Sequence, residues 1–140
     1  DNNCDYFVQC GDDILFFDIS WLDMCIHHLK LNLNLGCASP VDIGNKDLMT
    51  QSVVSRKHMD IYGYYYPPEL KSWFCDNWIT DLYKYQFAIF VRARLQNKGG
   101  DPRYTPPDWE STKKLCKDLV NKDIKKLQKY INNMCIKNYS

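Results

Sequence analysis

No apolar run in these 140 residues approaches the roughly 20 needed to span a bilayer, and no two cysteines stand in C-x-x-C spacing. The first absence argues against a membrane-crossing helix, the second against a zinc knuckle. The seven cysteines are odd in number and scattered from Cys4 to Cys135, so a dense disulfide framework is poorly supported. Buried free thiols are expected for most of them. Residues 1–7, DNNCDYF, are acidic and polar where a secretory signal is basic and then apolar, and the compartment stays open. The G-x-S-x-G, P-loop, H-E-x-x-H and G-x-G-x-x-G patterns are all missing, which removes the usual nucleophile, phosphate-cradle, zinc-protease and dinucleotide signatures. There is no internal repeat and no low-complexity tract.

What is present is a domain-sized chain with 45% hydrophobic and 25% charged residues, enough to bury a core. Its net charge of +1 hides a split. Residues 1–81 carry 12 acids against 5 Lys and Arg, while residues 82–140 carry 5 acids against 13. The acidic part suits a hard divalent cation. The basic part suits phosphate, an acidic partner, a membrane surface or only solvent.

Asp5–Cys10 (DYFVQC) reads as a short buried strand, closed by Gly11 and followed by two adjacent carboxylates, Asp12 and Asp13. Asp18–Asn34 has helical spacing at Trp21, Leu22, Cys25, Ile26 and Leu29. Leu35–Ser39 is a second strand, expected to end at Pro40. SRKHMDIYG predicts a short helix capped by Ser55 and closed by Gly63. A further helix is expected over WFCDNWITDLYK, and a strand over YQFAIFVRARL. From Asp108 to about Ile136 an apolar period near 3.6 predicts a long amphipathic helix, broken at most once. Lysines fill its other face; Arg is absent and aromatics are few, so a solvated face is preferred over a nucleic-acid contact. Short strands alternating with helices predict an α/β fold.

Three features carry possible chemistry. Two side-by-side carboxylates at the end of a strand are either a solvated turn or the oxygen ligands of Mg²⁺ or Mn²⁺. Tyr62–Trp78 holds seven aromatic residues in seventeen, interrupted by glycine and prolines, so some of these rings are expected in a cleft or interface. Within it Asp76, flanked by Phe74 and Trp78 at two residues' distance, is expected to have a raised pKa and to suit general base catalysis, or else to cap a helix. Of the histidines, His27 and His28 fall on a helix as structural or exposed residues, whereas His58 stands near Arg56 and Lys57 in a cluster suited to a diphosphate or to plain solvent.

In this order, YFVQCGDDILF, the block from GCASPVDIGNKDL through YYYPPELKSWFCDNWITDLY, and NKGGDPRY resemble the family 2-like glycosyltransferases of GT-A type, over about residues 1–105. The resemblance implies the C-terminal, acceptor-side portion of a GT-A fold: a mixed sheet flanked by helices in residues 1–107, then the lysine-rich helix of residues 108–140. It implies a βαβ nucleotide-binding half preceding Asp1, and transfer of a sugar from a nucleotide-diphosphate sugar to a carbohydrate or glycosylated acceptor. Asp13 stands where that family holds Mn²⁺ or Mg²⁺, with Asp12 beside the donor or the metal-bound water. Asp76 aligns with the general base of inverting members. Arg56 and His58 are expected on the donor, and Tyr64, Tyr65, Tyr66, Trp73 and Trp78 along the acceptor. A non-catalytic carbohydrate- or protein-binding domain is the alternative.

Overall fold

In the computed structural model, residues 3–84, 86–99 and 104–137 are described, with side chains to residue 134. The strands are β1 (Tyr6–Gln9), β2 (Ile14–Phe16), β3 (Cys37–Asp42), β4 (Ser52–Ser55) and β5 (Ala88–Asn97). The helices are α1 (Trp21–Leu31), α2 (Arg56–Tyr62), α3 (Cys75–Tyr83) and α4 (Trp109–Lys137). The chain is α/β, with one mixed five-stranded sheet in the order β1-β4-β3-β5-β2 among the described residues. Only β3 and β5 run parallel.

Successive side chains on a strand point to opposite faces, and the packing here follows that rule. Ala38 of β3 and Val53 of β4 join Cys25 and Leu29 of α1 in one cluster with Val91 and Ala93 of β5. Their neighbours Cys37 and Val54 join the opposite cluster, with Tyr62, Trp78, Ile79, Leu119 and Leu127 from α2, α3 and α4. The sheet is therefore covered by α1 on one face and by the other three helices on the other. Each large apolar side chain so buried contributes about 1.5–3 kcal/mol.

Several local expectations hold. Ser55 caps α2, its hydroxyl accepting from the Lys57 N–H at 3.1 Å, and Gly63 closes the helix at φ 79°, a left-handed conformation that glycine reaches without a Cβ penalty. On β5, Val91, Ala93 and Leu95 are buried while Phe90, Arg92 and Arg94 are exposed. α4 is unbroken over 29 residues.

Others are corrected. β3 does not stop at Pro40 but runs through it to Asp42, because the proline sits at a register shift between Pro40 and Val41, where a missing N–H disturbs the ladder least. β2 and β4 were not expected as strands. They have three and four residues, too few to show a period, and β4 is buried at every position, so it has no alternation to detect. Of the six described thiols, all free, only Cys25, Cys37 and Cys116 are buried; Cys75 is half-buried, and Cys4 and Cys10 are exposed. The Cys135 side chain lies outside the described residues, as do residues 100–103 of the NKGGDPRY block.

Candidate functional site

β1 and β2 occupy opposite edges of the sheet, so the chain between them must pass along the sheet end where β1, β3 and β5 finish. That connection is Cys10–Asp13. The Gly11 N–H donates to Gln51 Oε1 at 2.7 Å, beside the start of β4. The Asp13 carbonyl accepts from the Lys98 N–H at 2.9 Å, just past the end of β5. The acidic pair is therefore pinned to the carboxyl end of the sheet at both sides. A Cβ on Gly11 would lie 2.8 Å from Asp13 Oδ1, which shows that the carboxylate rests against the glycine. Asp12 is exposed and Asp13 half-buried. Burial, and after it the Asp13 charge, raise the pKa of the Cys10 thiol and keep it protonated.

Next to this turn is an open cleft of about 370 Å³. Gln9, the last residue of β1, lines it together with Thr50, Tyr66, Trp73, Asp76 and Trp109. Thr50 is held in place from two directions. Its hydroxyl donates to Asp42 Oδ2 at 2.9 Å, and the neighbouring Met49 N–H donates to Thr80 Oγ1 of α3 at 3.0 Å. The buried Asp42 carboxylate also accepts from the Gly44 N–H at 2.9 Å, and so organises the loop that leaves β3.

Asp76 sits in the first turn of α3. Its Oδ1 accepts from the Asn77 N–H at 2.9 Å, fixing the side chain locally. Burial raises its pKa, and the backbone N–H bonds oppose that shift only in part. The approach to this turn is strained. Ser72 and Phe74 both have positive φ, 95° and 68°, a conformation that costs an L residue roughly 1–2 kcal/mol. Strain of this kind persists where surrounding contacts over-determine it, here at the cleft wall.

The far wall comes from a residue that the sequence reading did not single out. Trp109 opens α4 and packs edge to face on Trp73 (centroids 5.2 Å apart) and Phe74 (5.6 Å), while 49% of it remains exposed. The Trp73 Nε1–H donates to the Thr105 carbonyl at 3.2 Å, holding the segment before α4 against the cleft. A Pro-Pro-Asp-Trp helix start was the only signal available, and it does not say where a helix 33 residues downstream will dock. Gln9, Asp42 and Thr50 were missed for the same reason.

The aromatic run divides. Tyr66 faces the cleft, with hydroxyl contacts of 3.2 Å to both Gln9 Oε1 and Ser52 Oγ. The Tyr65 hydroxyl donates to the Ser52 carbonyl at 2.7 Å, and the Tyr64 hydroxyl to Asp123 Oδ2 of α4 at 2.8 Å. Trp78 is fully buried in the core. Only Tyr66 and Trp73 of the five expected acceptor residues line the cleft.

The cationic cluster is not where the sequence reading put it. β4 runs antiparallel to β1, so Arg56, directly after β4, lands at the amino end of β1, and its N–H donates to the Asp5 carbonyl at 2.7 Å. Asp12 and Asp13 are at the other end of that strand. The Arg56 guanidinium lies over the Phe7 ring, and Lys57 Nζ donates to the Leu33 carbonyl at 2.7 Å. His58 turns away from both, into the core, 1% exposed. Its Nε2 bonds the Tyr65 carbonyl at 2.9 Å and its Nδ1 the Tyr83 hydroxyl at 2.8 Å. A carbonyl only accepts, so Nε2 carries the proton and Nδ1 accepts from Tyr83. Burial lowers the His58 pKa to about 4, which makes it a neutral core residue. Arg56 and His58 are thereby separated from Asp12 and Asp13. None of these four lines the cleft that holds Asp76, which only the neighbouring Gln9 of β1 connects to the acidic turn.

Among the described residues no three His, Cys, Asp or Glu side chains converge as a ready-made metal site. Two hard carboxylates without a further protein ligand fit Mg²⁺ or Mn²⁺ that arrives with phosphate oxygens and water completing its shell. No family model matches the chain, and neither a curated protein nor a solved structure matches it.

Proposed function

We propose that this chain forms the acceptor side of a metal-dependent glycosyltransferase, moving a sugar from a nucleotide-diphosphate donor to an acceptor hydroxyl, with Asp76 as general base. The observation that carries the reading is the position of Asp76: a carboxylate with a raised pKa in an aromatic-walled cleft that is also lined by Gln9, the end of the strand leading to Asp12 and Asp13. A base of raised pKa is a stronger proton acceptor. Asp76 accepts the proton of the acceptor hydroxyl as that oxygen attacks the anomeric carbon. The Asn77 N–H holds the carboxylate at one oxygen during this transfer, and the aromatic walls orient the acceptor. Asp13, with Asp12, would hold Mn²⁺ or Mg²⁺, which supplies charge neutralisation for the departing diphosphate.

The test combines binding and turnover. In amide NMR, Mn²⁺ with a nucleoside diphosphate is expected to broaden the Gly11–Asp13 signals selectively, and Asp13→Ala to abolish the effect. Asp76→Asn is expected to keep that broadening while removing sugar transfer. Unlocalised broadening, or an Asp13→Ala protein with unchanged metal-dependent transfer, would overturn the proposal. Saturable sugar binding without any metal effect or transfer would instead favour a carbohydrate-binding domain, a reading supported by the exposed indole of Trp109.

A further inference from the structure

We infer that the cleft between Trp109 and Asp76 is a subsite for an uncharged pyranose ring, so that the acceptor is a neutral sugar or glycoside, with Trp109 as its stacking wall. This rests on the reading of Asp76 as the base and names the substrate class for the same site.

The lining decides the ligand's chemistry. No Lys, Arg or His lines the cleft among the described residues, and its one carboxylate is Asp76; the Cys75 thiol and Tyr66 phenol beside it have raised pKa values and stay uncharged near neutrality. A phosphate or carboxylate ligand would meet a negative group with no cation to offset it, so an anionic ligand is disfavoured. The lysine-rich face of α4 does not supply that charge, since none of its lysines reaches this cleft. The remaining surface is of two kinds. Trp73, Phe74 and Trp109 present aromatic carbon, and Gln9, Thr50 and Ser72 bring amide and hydroxyl groups. A ligand complementary to both has one apolar C–H face and a rim of neutral hydroxyls, which describes a pyranose. A purely apolar ligand, or a peptide side chain with no hydroxyl rim, would take water from these amide and hydroxyl groups without offering them new hydrogen bonds beyond those of Thr50 with Asp42 and Gln9 with Tyr66. At about 370 Å³ the cleft lies near the small end of ligand pockets, which suits a single sugar unit or the terminal unit of a longer glycan.

Trp109 is built for this position. Edge-to-face contacts with Trp73 and Phe74 fix the ring at interplanar angles of 74° and 60°, yet about half of it stays in contact with solvent. An indole held by its neighbours loses little freedom when a ligand stacks on it. An ordinary core tryptophan is covered, as Trp78 is in the same molecule.

The test follows the indole N–H signals of the four tryptophans in ¹H–¹⁵N NMR while methyl pyranosides are added to the whole chain, without metal or donor. A saturable shift of the Trp73 and Trp109 signals is expected, with Trp21 unmoved and methyl phosphate without effect. Trp109→Ala is expected to weaken pyranoside binding roughly 3- to 10-fold, the range of one lost aromatic contact, and Trp109→Phe to restore most of it. Circular dichroism of both variants checks that α4 is retained, and Trp109→Phe, which keeps a ring against Trp73, carries the test should the alanine variant unfold. Absence of a saturable shift, equal movement of Trp21, a response to methyl phosphate, or unchanged affinity in Trp109→Ala overturns the assignment. Because the assay needs no turnover, failure of Asp76 as a base leaves its result intact. Conversely, transfer that depends on Asp13 and Asp76 but responds to Trp109→Ala with an unchanged acceptor KM refutes only this inference.

Discussion

Acidifying the protein forces a proton onto His58, and the structure says how much that should cost. In the unfolded chain the imidazole titrates near 6.5; in the folded chain burial lowers its pKa to about 4, against the weaker opposing effects of the Tyr65 and Tyr64 backbone and the Asp123 charge. Between those two values the unfolded state holds a proton that the native state refuses. Stability therefore rises with pH across the window, by about 1.4 kcal/mol per pH unit for one proton, and is lost as pH falls from 6.5 to 4. Over that window the loss is roughly 3 kcal/mol, a large share of the ~5–15 kcal/mol that holds an ordinary domain together. Above pH 6.5 both states are neutral and the penalty vanishes; below pH 4 both are charged and it stops growing. The geometric cause is specific. A charged ring would lose its hydration among Tyr62, Tyr65, Trp78 and Tyr83, and a proton on Nδ1 would also require the Tyr83 hydroxyl to turn from donor to acceptor. Urea unfolding at a series of pH values in this window, in the native protein and in His58→Gln, isolates the contribution. The variant keeps a side-chain N–H for the Tyr65 carbonyl, is weaker near neutrality, and should lack the one-proton slope. The same acid slope in His58→Gln, or an NMR titration of native His58 near 6.5, would refute the reasoning and return the residue to the surface cluster that the sequence suggested.

Asp76 shifts the other way. Its raised folded-state pKa means that the native state binds the extra proton above the ordinary carboxylate value of 3.8, so this group's contribution falls as pH rises through the window and is a penalty at neutral pH. Asp76→Asn, which keeps an acceptor for the Asn77 N–H, is expected to raise Tm at pH 7 while transfer is lost; a lowered Tm in thermal unfolding would show that the ionised carboxylate stabilises the fold. Gly11→Ala places a Cβ 2.8 Å from Asp13 Oδ1, the movable end of a side chain. Stability should stay within about 0.5 kcal/mol by urea unfolding, while Mn²⁺ broadening of the Asp13 amide weakens; unaltered broadening would show that the carboxylate does not depend on the glycine.

Much of the local structure was legible because it is decided within a few residues. Ser55 and Gly63 bracket α2 through a side-chain cap and a left-handed residue, both effects of immediate neighbours. The 3.6-residue period of α4 and the two-residue alternation of β5 announce which face is buried. The raised pKa of Asp76 was also readable, since Phe74, two residues before it, lines the same cleft and the burial there raises the carboxyl pKa. His58 was not. SRKHMD places it beside cations on paper, but at about 100° per residue Lys57 and Arg56 point to other sides of α2 than His58, whose face meets Tyr62, Tyr65, Trp78 and Tyr83. Short-range order thus announced the four helices and β1, β3 and β5 but not the short β2 and β4, and the α/β class followed from the alternation of those it did announce. Which strands are edges, which end of the sheet receives the acidic turn, and whether Trp109 reaches Asp76 depend on contacts between residues tens of positions apart. Those contacts are settled by packing two hydrophobic clusters against one sheet, and no local pattern encodes them.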